Sequence, residues 1–104
     1  MGKKIIWSND ALEQLEDIHF YIFFESKSIN IADKVVDTIF ESTTILKTQP
    51  EIFKLDTQKV NNDGSFRVYY VYEYSISYRI TDSSIQILRV RHNARKSKKL
   101  PWKT

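Results

Sequence analysis

The chain has 104 residues, 41% hydrophobic and 28% charged, which is room for one globular domain with a single modest core. It has no cysteine, which excludes disulfides, thiolate-held zinc, iron–sulfur clusters and a cysteine nucleophile. The formal charge of +3 is unevenly placed: residues 89–104 carry seven lysines and arginines and no acid, whereas residues 1–88 are net acidic. Such a one-sign block either attracts polyanions or an acidic partner protein, or serves only as a solubilising tail. No apolar run approaches the ~18 residues that span a bilayer. The opening Met1–Ser8 stretch has two lysines but only three consecutive apolar residues, too few for a secretory signal, so a cytosolic protein without membrane partners is expected.

Lys3 to Trp7 reads as a short strand, two isoleucines and a tryptophan ahead of a turn. Ser8 or Asn9 can cap a helix, and Asp10 suits its positive end. Ala11, Leu15, Ile18 and Ile22 follow at helical spacing and predict one buried face. Glu13, Glu16 and Asp17 mark the opposite face. Phe20, Tyr21, Phe23 and Phe24 make the end of this helix apolar nearly all round, so it is either buried or a docking surface. Ser26 or Ser28 can cap a second helix with Ala32, Val35, Val36, Ile39, Thr43 and Leu46 on its apolar face. Pro50 limits that helix. The short link predicts an antiparallel helical hairpin.

Residues 51–64 read as an irregular connection ending in the turn cluster Asn61-Asn62-Asp63-Gly64. The period then changes to two. Phe66, Val68 and Tyr70 alternate with Arg67, Tyr69 and Val71, and Tyr74, Ile76, Tyr78 and Ile80 alternate with Ser75, Ser77 and Arg79. This alternation groups Tyr70, Tyr74 and Tyr78 with the core residues. Tyr72-Glu73 is a tight connection without glycine. Residues 85–92 form a last strand, apolar on both faces at first, as an interior strand is. The expected fold is α+β: β-α-α-β-β-β, a helical hairpin on one face of a mostly antiparallel sheet. It occupies residues 1–92, with a basic tail over 93–104.

Two glycines leave no room for a phosphate-cradling loop, and neither His19 nor His92 has a neighbour at metal-ligand spacing. No metal or cofactor is expected, and His19 reads as a packing or interface residue. His92 ends the last strand among Arg89, Arg91 and Arg95. If Arg67 and Arg79 project from neighbouring strands, five arginines share its surroundings. Arginine forks bind phosphate well, and a histidine there can move protons near neutral pH. Metal-free RNA cleavage needs a base, an acid and cations, and this set supplies cations but only one good proton-transfer group. A strand-end histidine bonded to backbone, with arginines reaching solvent or an acidic partner, is the favoured alternative. The tyrosines of adjacent strands resemble a base-stacking platform, although core packing is their favoured use.

The order and spacing of these pieces resemble the RelE/ParE superfamily of bacterial type II toxins over nearly the whole chain. The resemblance rests on Ile6-Trp7-Ser8 with Ala11, Leu15 and Ile18, then Tyr21-Ile22, Ala32, Val36, Leu46 and Pro50. It continues through Arg67 and Tyr74-Ser75-Ile76-Ser77-Tyr78-Arg79-Ile80, and is most specific at Ile85-Gln86-Ile87-Leu88-Arg89-Val90-Arg91-His92 with Arg95. RelE-like members are ribosome-dependent ribonucleases with an arginine after the tyrosine opening the middle hairpin strand and a catalytic tyrosine near the C-terminus. Here Ser75 follows Tyr74, and no tyrosine follows His92, although His92 matches a histidine of some ribonuclease members. The helical hairpin and the Leu-Arg-Val-Arg-His ending are more similar to ParE. The resemblance therefore implies a toxin that inhibits growth by binding DNA gyrase and is neutralised by a cognate antitoxin with an acidic segment. The target- or antitoxin-binding residues would be Arg67, Arg79, Arg89, Arg91, His92, Arg95, Lys96, Phe20 and Phe24. The alternative is an mRNA interferase acting on ribosome-bound mRNA, with His92, Arg67 and Arg95 catalytic.

Overall fold

The structure, a computed structural model, describes residues 2–93. In chain order the elements are β1 (Lys4–Trp7), α1 (Asn9–Ser26), α2 (Ile29–Glu41), a 3₁₀ segment (Ser42–Lys47), β2 (Phe66–Val71), β3 (Tyr74–Ile80) and β4 (Ser84–His92). The expected β-α-α-β-β-β order holds. The spatial order is β1-β4-β3-β2, with β1 parallel to β4 and the other pairs antiparallel. β4, the last strand, is thus interior, as its early two-sided apolarity predicts.

Ser8 begins the helical layer. Its hydroxyl accepts the Ala11 N–H at 3.0 Å, capping α1, and donates to the Leu88 carbonyl at 3.0 Å. One side chain therefore both starts α1 and fixes it to β4. The Gln14 amide oxygen adds a second tie, accepting the Val90 N–H at 2.7 Å beyond the point where β1 ends. The buried residues of α1 are Ala11, Leu15, Ile18 and Ile22, the face that the spacing predicts. Lys27 closes the helix in the left-handed region (φ 57°), and Ser28 caps α2 through the Ile31 N–H at 3.2 Å. His19 joins the two helices, its Nε2 lying 2.7 Å from an Asp33 carboxylate oxygen.

α2 is shorter than its apolar spacing implies. The hydroxyls of Ser42 and Thr43 donate to the carbonyls of Ile39 and Phe40, and the chain tightens into 3₁₀ turns. Thr43 and Leu46 still reach the core, from those turns rather than from the α-helix. The core joins Ala32, Val35, Ile39 and Leu46 to Ile76, Ile85, Ile87 and Val90 of the sheet. Each such side chain contributes roughly 1.5–3 kcal/mol of burial.

In β2 the two faces are the reverse of the tyrosine grouping expected from alternation. Tyr69 is buried, stacked on Phe53 at 4.1 Å with its hydroxyl 2.7 Å from that of Ser42. Tyr70 is 50% exposed. The register decides it: Tyr69 lies opposite Ile76, a core residue, and Tyr70 opposite Ser75. Tyr74 and Tyr78 are buried as expected.

Burial pushes the Tyr74 and Tyr78 phenols up to about 12. The Tyr78 hydroxyl donates to the Pro50 carbonyl at 2.7 Å, whereas the buried Tyr74 hydroxyl has no partner among the described residues. Tyr78→Phe should therefore cost about 1–2 kcal/mol in urea unfolding, and Tyr74→Phe nothing or less. The unfolded chain loses these protons near pH 10 and the folded chain near 12. Stability should hold below pH ~10, fall as the pH rises towards 12, and fall less steeply in Tyr74→Phe.

Candidate functional site

The helices cover one face of the sheet, and among the described residues the other is open. Three rows cross the open face in register: Tyr70–Ser75–Arg91, Val68–Ser77–Arg89 and Phe66–Arg79–Gln86. Each of the first two rows runs from an aromatic or aliphatic side chain, over a small serine, to an arginine. The arginines owe their place to a bulge in β4. Ser77 lies opposite Arg89 but Tyr78 lies opposite Ile87, so Leu88 is an extra residue. Before it, Ile85 and Ile87 face the core. After it the phase changes, Val90 faces the core, and Arg89 and Arg91 turn outward.

The loop that precedes β2 supplies the second wall. Asn62 shapes this loop, donating to the carbonyls of Asp56 (3.2 Å) and Phe66 (2.8 Å) and accepting the Gly64 N–H at 2.8 Å. Gly64 takes φ 98°, which side chains rarely adopt. The loop then runs along the edge of β2, where Asp56 N–H donates to Phe66 O and Val68 N–H to Lys54 O. Between loop and β4 lies a groove of about 580 Å³ with Lys54, Lys59, Arg89 and Arg91 on its walls and Asp56 as its acid. The Lys59 ammonium stands 4.4 Å and the Arg79 guanidinium 5.1 Å from the Phe66 ring centre, and Lys54 lies 6.0 Å from that of Tyr70.

The arrangement collects some of the residues singled out from sequence and separates others. Arg79, Arg89 and Arg91 share the open face. Arg67 does not join them: it lies opposite Tyr78 on the core side of β2. Its guanidinium is held by three carbonyls, Gly64 (3.2 Å), Glu51 (3.3 Å) and Phe53 (2.8 Å), and so binds the loop to the sheet. His92 lines the same groove as Arg89 and Arg91, with its ring centre 5.3 Å from that of Tyr74 and 6.4 Å from that of Tyr21. Its Nε2 is 3.3 Å from a carboxylate oxygen of Glu73, a buried residue in the β2–β3 turn. Tyr72 in that turn takes φ 54°, a strained choice where glycine is usual. Phe20 and Phe24 stack at 5.6 Å on the outward side of α1, 64% and 67% exposed. They belong to the helical layer, across the molecule from the arginines. Arg95 and Lys96, with the rest of the basic tail from residue 94, lie outside the described residues.

Sequence reasoning missed Lys54 and Lys59, because nothing in an irregular connection marks which way it folds back. The bulge did leave a signal: the apolar positions pass from 85 and 87 to 90, a change of phase. No helix among the described residues is long and apolar enough to cross a membrane.

Residues 5–97 match the family described as the ParE toxin of the type II toxin–antitoxin system parDE. Among solved structures, the fold is similar to one titled as the chromosomal ParDE toxin–antitoxin system from P. aeruginosa. The TM-score is 0.72 at 21% identity, over 86% of this chain and 95% of that one. No curated protein sequence matches the chain. The protein is a ParE-like toxin of the type II toxin–antitoxin class. With the match covering most of its length, the chain belongs to the ParE toxin family.

The two kinds of arginine should respond differently to removal. Arg89→Ala and Arg91→Ala, beside small serines on an open face, should change unfolding free energy by no more than about 0.5 kcal/mol. Arg67→Ala frees three carbonyls from their donor and should cost about 2 kcal/mol or more by urea titration.

Proposed function

We propose that this chain inhibits growth by binding DNA gyrase through protein contacts, and that a cognate antitoxin neutralises it in the bacterial cytoplasm. The observation that carries this reading is the chemistry of the open face. Arg79, Arg89 and Arg91, with Lys54 and Lys59, form a cationic surface suited to an acidic partner. His92, the one histidine lining the groove, has its ring against Tyr21 and Tyr74 and its Nε2 3.3 Å from a Glu73 carboxylate oxygen, which leaves a single proton-transfer side chain beside the cations. Tyr74 and Tyr78 are buried, with phenols pushed up to about 12, and so are unsuited to proton transfer near neutral pH. A surface rich in charge and poor in placed proton-transfer groups suits binding rather than cleavage.

The antitoxin meets a different chemistry on the helical layer. The Phe20–Phe24 stack and the half-exposed Phe23 offer an apolar docking strip. The basic residues from Arg89 onward, Arg95 and Lys96 included, attract the acidic segment that such a partner brings. His92 and Arg67 serve as structural supports in this reading.

Purified chain should inhibit supercoiling by gyrase in vitro. The Arg89→Ala/Arg91→Ala pair should weaken that inhibition about tenfold or more, and His92→Ala should leave it intact. Inactivity towards gyrase, together with cleavage of ribosome-bound mRNA that is lost in His92→Ala, would overturn the reading in favour of an RNA-cleaving toxin.

A further inference from the structure

The proposed function uses the cations of the open face but not its aromatic rings. Phe66 and Tyr70 stand on that face of β2 and line the groove beside Lys54, Lys59, Arg89 and Arg91. The Phe66 ring is already engaged by Lys59 and Arg79. His92, at the far end, has its ring against Tyr74 and Tyr21. The Tyr70 ring is half-exposed, and Lys54 stands at the outer limit of cation–π contact, 6.0 Å from its centre. Among the described residues of the groove, Tyr70 is thus the one ring available to stack on a ligand.

The cations outnumber that ring. Arg89 and Arg91 are exposed, and their guanidinium groups have no hydrogen-bonded or ionic partner among the described residues. The ammonium groups of Lys54 and Lys59 meet only aromatic rings. Asp56 is the single acid of the lining, and its carboxylate already accepts the Gln58 N–H at 3.0 Å. Ser75 alone lies between Tyr70 and Arg91, and Ser77 alone between Val68 and Arg89, so small hydroxyl side chains floor the trough. Two strand spacings, about 10 Å, separate Tyr70 from Arg91. The volume of about 580 Å³ is that of a small-molecule site.

We propose that this groove binds a nucleoside triphosphate. The base stacks on Tyr70, and the sugar crosses Ser75 and Ser77. The phosphates meet Arg89 and Arg91 from the sheet and the two lysines from the loop. The ratio of groups selects this ligand over a nucleic-acid strand. A strand brings one phosphate with each base and is held on a succession of rings. Here Lys54, Lys59, Arg89 and Arg91 surround one available ring, which matches several phosphates on a single base. The inference goes beyond the gyrase reading and does not rest on it. Both call on the same cations, so a bound nucleotide and an acidic partner exclude one another there.

The test is a titration of the full chain with ATP at constant ionic strength, followed by residue-resolved amide chemical shifts. Saturable shifts should centre on Tyr70, Ser75, Ser77, Arg89 and Arg91, with α1 unmoved. Inorganic triphosphate, which has the charge without the base, should bind at least ~10-fold more weakly. Tyr70→Ala should lower the ATP affinity to that of triphosphate, and Tyr70→Phe should restore it. Arg89→Ala/Arg91→Ala should weaken both ligands at least ~10-fold. The absence of any saturable shift with ATP would overturn the proposal. Equal affinity for ATP and triphosphate would overturn it too, leaving only an anion patch. Tighter binding of a short thymidine oligonucleotide than of ATP would assign the groove to a strand instead. The chain is titrated alone, so this result and that of the gyrase assay can fail separately.

Discussion

The position of β4 in the middle of the sheet is the constraint on which the other features depend. It pairs in parallel with the first strand of the chain and antiparallel with β3, so the two ends of the domain are joined through one element. Ser8 and Gln14 bond to its backbone from α1 and so set where the helical layer lies across it. Each of these contacts spans about three-quarters of the chain, so closing them costs loop entropy that only the completed core offsets. The Leu88 bulge lies in the same strand, and from it follows the division of Val90 from Arg89 and Arg91.

That division separates two chemistries on two sides of one small molecule. The helical layer presents aromatic surface around Phe20 and Phe24, and the open sheet face presents cations around serines. Under the proposed function, in which the chain meets both a target and a neutralising partner, two unlike surfaces are of use because each recruits by a different force. Charge acts at a distance and speeds encounter, whereas apolar area acts only on contact and holds. Arg67 and His92 sit at the margins of the cationic surface. The first fastens the loop that forms one wall of the groove, and the second packs at the strand end between Tyr21 and Tyr74.

Most of the fold was legible because its signals were local. Helix caps at Ser8 and Ser28, four apolar residues at helical spacing in α1, and the switch to period two after Gly64 each mark an element directly. What was misread depended on contacts between distant segments. Tyr69 and Tyr70 are chemically alike, and only the register against Ser75 and Ile76 decides which is buried. An arginine in a strand suggests an exposed cation, and Arg67 is instead consumed by carbonyls of a loop whose path the sequence does not disclose. The extent of α2 was overestimated because hydrophobic spacing continues through Ser42–Lys47 while the backbone tightens. Family membership came from the order of the pieces, whereas the candidate site needed their three-dimensional register.

The central claim is that the cationic face serves to bind a target in DNA metabolism and not to cut RNA. Pulse labelling after induction of this chain alone in bacteria, with DNA and protein synthesis followed together over the first minutes, tests it most directly. The account predicts that incorporation into DNA falls first, with protein synthesis declining later. A fall in protein synthesis that precedes any change in DNA would contradict it.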